Sequence, residues 1–125
     1  MNVKLMKQIS TLLFVIVVLS LLPAYSASAK DRANIEALTE KALYGDAEAQ
    51  NKLGLMYERG EGGLNKNYDE AVKWYRLAAE QGNVLALRNL GLIYANGHGV
   101  VRNEEKAKRL FREADKLEKN LNAEQ

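Results

Sequence analysis

Two adjacent carboxylate pairs, Asp69–Glu70 and Glu104–Glu105, come nearest to a general acid–base arrangement in this chain. Each pair follows an asparagine, Asn67 or Asn103, that suits the start of a helix. Negative charge in a first helical turn offsets the helix dipole, which accounts for both pairs without catalysis. Nucleophilic chemistry has less to draw on. There is no cysteine, and the serines (Ser10, Ser20, Ser26, Ser28) all fall within the first 29 residues. Beyond that stretch stand one threonine, Thr39, and one histidine, His98. A hydroxyl or thiol nucleophile therefore has almost no residue to run on. His98 lacks the second histidine or cysteine that a metal site recruits, and reads as a solvated loop residue. Gly60-Glu61-Gly62-Gly63 has neither the lysine–serine pair nor the strand of a phosphate-binding loop, and reads as a connector. Trp74 and Tyr75 have the shape to stack on a ligand, but their helical spacing makes them core residues. No catalytic, cofactor-binding or metal-binding residue is assigned, and the chain reads as non-enzymatic.

The elements that carry these residues occur twice. Gly45, Ala49, Leu53, Gly54, Leu55, Tyr57, Gly60 and Gly62 recur 37 residues later as Gly82, Ala86, Leu90, Gly91, Leu92, Tyr94, Gly97 and Gly99. After a one-residue slip in the loop, Asn67, Ala71, Arg76 and Ala78 return at spacing 36 as Asn103, Ala107, Arg112 and Ala114, with Phe111 answering Tyr75. A fixed period in the thirties is the signature of a helical repeat array.

The frame Ala47-x-Ala49-Gln50-x-x-Leu53-Gly54-x-x-Tyr57-x-x-Gly60-x-Gly62, then Asn67-x-x-x-Ala71-x-x-Trp74-Tyr75-x-x-Ala78-Ala79-x-x-Gly82, resembles a Sel1-like repeat, a relative of the tetratricopeptide repeat. The second copy departs at Leu87 (for Gln50), Leu110 (for Trp74) and Asp115 (for Ala79). The resemblance implies an all-α fold, a short right-handed α/α solenoid of about five helices. Helices are expected over 31–44, 47–59, 68–81, 84–96 and 104–119, as a capping helix and two helix pairs. Asp46, Asn67, Asn83 and Asn103 are expected as N-caps, and Gly45, Gly60 and Gly82 as stops. Gly54 and Gly91 sit inside helices, where glycine costs about 1 kcal/mol against alanine. Their recurrence predicts close approach of a neighbouring helix. Leu110, Phe111, Ala114, Leu117 and Leu121 form the stripe of the last helix, and 120–125 is expected to fray.

The first 29 residues are different in kind. Lys4 and Lys7 precede an apolar run from Ile9 to Leu22, Pro23 breaks it, and Ala27-Ser28-Ala29 offers small residues to a signal peptidase. A secretory signal peptide cleaved after Ala29 is expected, leaving a mature domain of 30–125 in the periplasm or outside the cell. An uncleaved anchor is the alternative, though a spanning helix needs about 20 apolar residues. The mature domain divides into a half repeat 31–45, repeat one 46–82 and repeat two 83–119. Removing Lys4 and Lys7 leaves 16 basic and 16 acidic side chains. A neutral, mixed surface gives no reason to expect nucleic acid or an anionic membrane as partner.

The resemblance implies that the first helix of each pair lines a concave binding surface. The exposed positions there are Glu48, Lys52, Arg59, Leu85, Arg88 and Asn89. These are the candidate partner-binding residues, and an ordinary solvated surface is the alternative at each. The expected function is an exported scaffold or adaptor that binds a protein. Other readings are an immunity or inhibitor protein acting on one periplasmic enzyme, a binder of cell-wall fragments, or a subunit of a larger assembly. A second copy of the chain is a further partner for so short an array.

Overall fold

A computed structural model describes residues 2–124, the side chains of 19–27 excepted. Its elements are α1 (Val3–Leu43), α2 (Ala47–Arg59), α3 (Tyr68–Glu80), α4 (Val84–Asn96) and α5 (Glu104–Ala123). The fold is all-α, a short solenoid in which α2 pairs with α3 and α4 with α5.

The chain divides into two compact units, 1–34 and 35–125. In the first, the apolar side chains from Val3 to Val18 are exposed all round α1, Leu12 and Phe14 among them. Among the described residues no helix is long and apolar enough to cross a membrane. The sequence predicts a capping helix from residue 31, but α1 runs unbroken from Val3. α1 passes through Pro23, the one local helix breaker, and beyond it no glycine or proline interrupts 24–34, where Ala24, Ala27, Ala29 and Ala33 are strong helix formers. The side chains of Pro23 and Ala27, part of the expected break and cleavage site, lie outside the described residues.

The second unit follows its capping signals. Asp46 accepts from the Ala49 amide, Asn67 from the Asp69 and Glu70 amides, Asn83 from the Ala86 amide and Asn103 from the Lys106 amide. Gly45, at φ +93°, closes α1. Its amide donates to Ala42, and the Asp46 amide to Lys41. That six-to-one and five-to-two pair needs a left-handed residue between, which glycine supplies without strain. Gly82 repeats the arrangement, with its own amide on Ala79 and the Asn83 amide on Ala78. In both turns one residue, Asp46 or Asn83, ends one helix and caps the next, so the helices fold back with no spare chain.

The core lies along the seams. Ala42 of α1, Ala49 and Leu53 of α2 and Trp74 of α3 form one cluster. The larger one joins α3, α4 and α5 through Val72, Tyr75, Leu87, Leu90, Ile93 and Tyr94, with Ala71, Ala78, Ala86, Ala107 and Ala114 filling the close contacts. Trp74 Nε1 is buried without a hydrogen-bond partner.

Two details of the far end differ from expectation. The last helix continues to Ala123, past the expected end at 119 and through most of the segment expected to fray, since no glycine or proline follows Asn103. Leu121 is 56% exposed, so the packed stripe ends at Leu117. His98 is not simply solvated: its ring lies 4.7 Å from that of Tyr68, centroid to centroid.

Candidate partner-binding face

The first helices of the two pairs, α2 and α4, present matching stripes. On α2, Glu48, Lys52, Leu55 and Arg59 recur at spacings of four, three and four, so they share one side of the helix. The positions 37 residues on are Leu85, Asn89, Leu92 and Asn96 of α4. The α2 stripe is charged and the α4 stripe is apolar and neutral. Leu85 is 63% exposed and Leu92 53% exposed. They lie seven residues apart, two turns along the same side of α4.

Asn89 ties the two helices together: its Nδ2 donates to Oδ1 of the buried Asn51 at 3.0 Å. That bond links α4 to α2, the charged stripe to the apolar one. Glu48 and Lys52 are exposed and form no ion pair among the described residues. Arg59 is exposed and lies 3.7 Å from Glu61.

Arg88, one turn from Leu85 and from Leu92 on α4, is also tied to α5. Its guanidinium donates to Asp115 at 2.9 Å and to Glu118 at 2.7 Å, both on α5. The Glu118 hydrogen bond, reinforced by the two carboxylate charges against partial desolvation, raises its pKa above the ordinary value. The structure thus groups Glu48, Lys52, Arg59, Leu85 and Asn89 on α2 and α4 and turns Arg88 toward α5. Asp115, a departure from the first copy's alanine, is one of Arg88's acceptors.

Sequence reasoning missed Leu92. It echoes Leu55, so it reads as part of the repeat frame. The signal that marks it is phase: Leu87, Leu90, Gly91 and Tyr94 fall on the buried side, and Leu92 does not. Among the described residues no group of acidic, histidine or cysteine side chains is placed to hold a metal ion.

Residues 47–83 and 84–114 each match the Sel1 repeat, together more than half of the chain. A sel1-like repeat-containing protein of Acanthamoeba polyphaga mimivirus, R815, is 33% identical over 92 residues, which is 74% of this chain and 17% of that protein. The ERAD-associated E3 ubiquitin-protein ligase component HRD3A of Arabidopsis thaliana is 38% identical over 66 residues, 53% of this chain and 10% of that protein. This chain therefore spans only a small part of the length of these curated relatives. Two crystal structures are similar. The protective antigen c5321 of uropathogenic Escherichia coli, with an SLR fold, has a TM-score of 0.62 at 40% identity over 65% of this chain and 17% of its own. A Sel1 repeat protein from Oxalobacter formigenes has a TM-score of 0.62 at 31% identity over 66% of this chain and 34% of its own.

Proposed function

Because the chain belongs to the Sel1 repeat family, a family of non-catalytic protein-interaction modules, we propose that it is an exported adaptor holding one protein partner against α2 and α4. The observation that carries the reading is the Leu85–Leu92 pair, two exposed leucines on one side of a helix linked to α2 through Asn89 and Asn51. Exposed apolar side chains beside polar neighbours suit a contact with a hydrophobic centre and a charged rim. Glu48, Lys52 and Arg59 supply that rim. In solenoids of this kind the curvature offers an extended concave surface, which suits an elongated partner segment. HRD3A is named as a component of a larger ligase, which fits an assembling role for such repeats. Export rests on the basic, apolar and small-residue order of 1–29.

The test is site-specific photocrosslinking in the native cell, with the crosslinker at Leu85, at Leu92 and, as a control on another helix, at the exposed Leu77. One shared protein adduct at 85 and 92 that is absent at 77 is expected. The same adduct at all three positions, or at 77 alone, moves the contact off this face. N-terminal sequencing of the chain from the same cells is expected to begin at Lys30; a start at Met1 removes the cleaved-leader reading.

A further inference from the structure

Arg76 of α3 and Lys106 of α5 converge on a single oxygen, the hydroxyl of Tyr94 on α4. The Arg76 guanidinium donates to it at 2.6 Å and the Lys106 ammonium at 2.9 Å. Lys106 Nζ also lies 4.2 Å from the centre of the Tyr94 ring. A phenol oxygen has two lone pairs, and both are taken by these donors. Its own O–H hydrogen then needs an acceptor, and no described residue provides one. Tyr94 is only 6% exposed, while Arg76 reaches solvent. Neither cation has a carboxylate partner: the ion pairs among the described residues occupy Arg59, Lys73, Arg88, Arg102 and Lys108 instead. Two cations without a carboxylate partner and a hydroxyl with no acceptor among the described residues thus meet at one point.

The first copy is built otherwise. Tyr57 stands in the place of Tyr94, with Thr39 in that of Arg76 and Glu70 in that of Lys106. The pair of cations is therefore a property of the second copy and not of the shared frame.

We propose that Arg76, Tyr94 and Lys106 form a carboxylate-binding site where α3, α4 and α5 meet. One carboxylate oxygen accepts the Tyr94 O–H. The other accepts N–H groups of Arg76 and Lys106 that the phenol leaves free. A planar guanidinium matches a two-oxygen anion, and hydrogen bonds between ionised partners are the stronger kind. The local field agrees. Burial pushes the Tyr94 phenol up, yet the hydrogen bonds from Lys106 and Arg76 and their charges outweigh burial and hold it below its ordinary value. Negative charge is stabilised at that oxygen. The site stands apart from the α2–α4 stripes, and the carboxylate belongs either to a protein side chain or to a free small acid.

The test uses the full chain labelled with 13Cζ-tyrosine, followed by NMR. The Tyr94 resonance is identified by its loss in Tyr94→Phe. Sodium acetate and a blocked alanine-rich peptide bearing one glutamate are titrated separately at constant chloride. Tyr94, alone among the six tyrosines, is expected to shift saturably. Arg76→Gln with Lys106→Gln is expected to weaken that response by about tenfold or more with unchanged helicity. If the double variant does not fold, Arg76→Gln alone, at an exposed side chain, must show the weakening. Tighter binding of the peptide assigns the site to a protein side chain, and equal binding to a free carboxylate. No saturable shift with either ligand, an undiminished shift in the variants, or saturation by inorganic phosphate alone overturns the proposal.

Discussion

Gly54 of α2 lies so close to Tyr75 of α3 that a Cβ there would stand 2.7 Å from Tyr75 Cδ1. One repeat later Gly91 and Phe111 stand in the same relation, with a Cβ on Gly91 reaching to 2.6 Å from Phe111 Cε1. In each helix pair an aromatic ring occupies the space a side chain would need. That contact sets how near the two helices come, and it offsets the helical cost of glycine.

The two contacts differ in how firmly the ring is held. Tyr75 is fully buried, and its hydroxyl donates to Glu58 at 2.6 Å. Phe111 is half-buried and has no hydroxyl. Gly54→Ala is therefore expected to lower stability by about 1–3 kcal/mol, as overpacking does. Gly91→Ala is expected to cost less, since its ring can give way and alanine favours the helix. Urea unfolding of the two variants measures both. A Gly54→Ala protein as stable as the parent would mean that the ring is not what keeps this position bare.

Tyr75 also makes a prediction for alkaline pH. Burial first, then the hydrogen bond to Glu58 and its charge, raises the phenol far above its ordinary value of 10.0. The folded chain thus keeps a proton that the unfolded chain gives up. Between the two pKa values the unfolded state binds fewer protons, so stability falls as pH rises. This contribution is complete below pH 10 and is lost above it, at up to about 1.4 kcal/mol per pH unit. Tyr75→Phe is expected to flatten the decline of stability measured above pH 10. An identical slope in parent and variant would rule out Tyr75 as its source.

Gln50 joins three elements. Its Nε2 donates to the Ala42 carbonyl at 3.0 Å, and its Oε1 accepts from Gln81 Nε2 at 2.8 Å. In the second copy both glutamines give way to leucine, as Leu87 and Leu117. Gln50→Leu alone leaves the Ala42 carbonyl and the Gln81 amide without this partner, at a cost of about 1–3 kcal/mol. Adding Gln81→Leu is expected to recover part of that loss, because replacing both members of a polar pair costs less than orphaning one. Unfolding midpoints of the single and double variants decide it. A double variant less stable than Gln50→Leu would show that the glutamines act independently.

These pairs explain what was legible in the sequence. Asp46, Asn67, Asn83 and Asn103 cap helices through local backbone bonds, so their roles follow from residue type and position. The glycines recur with the repeat, and that recurrence alone implies a packing role. The compensated pairs are different. Leu87 and Asp115 read as isolated departures from the frame, because their counterparts lie on another helix about 30 residues away. Tyr75 with Glu58 becomes Phe111 with Ala95: hydroxyl and acceptor disappear together. Only the fold shows that the changes are matched. On the candidate face, the side of α2 and α4 was readable from the period. The turning of Arg88 toward α5 was not, because its neighbours Leu85 and Asn89 suggest a shared surface.

Arg88 brings the last prediction. Its guanidinium holds Asp115 and Glu118 across the α4–α5 seam, and all three side chains are partly exposed. Exposed ion pairs contribute little, typically about 0–1 kcal/mol, and salt screens them. Arg88→Ala is therefore expected to lower stability only slightly at low salt, with the difference from the parent shrinking at 1 M sodium chloride. Its partner affinity is expected to stay near that of the parent, because its guanidinium is engaged by Asp115 and Glu118 of α5. Leu92→Asp is expected to do the reverse, leaving unfolding nearly unchanged and abolishing the crosslinked adduct. Unfolding at two salt concentrations and crosslink yield, measured on both variants, separate a residue that braces the array from one that meets a partner. If Arg88→Ala loses the adduct while keeping its stability, the contact face extends to the α4–α5 seam.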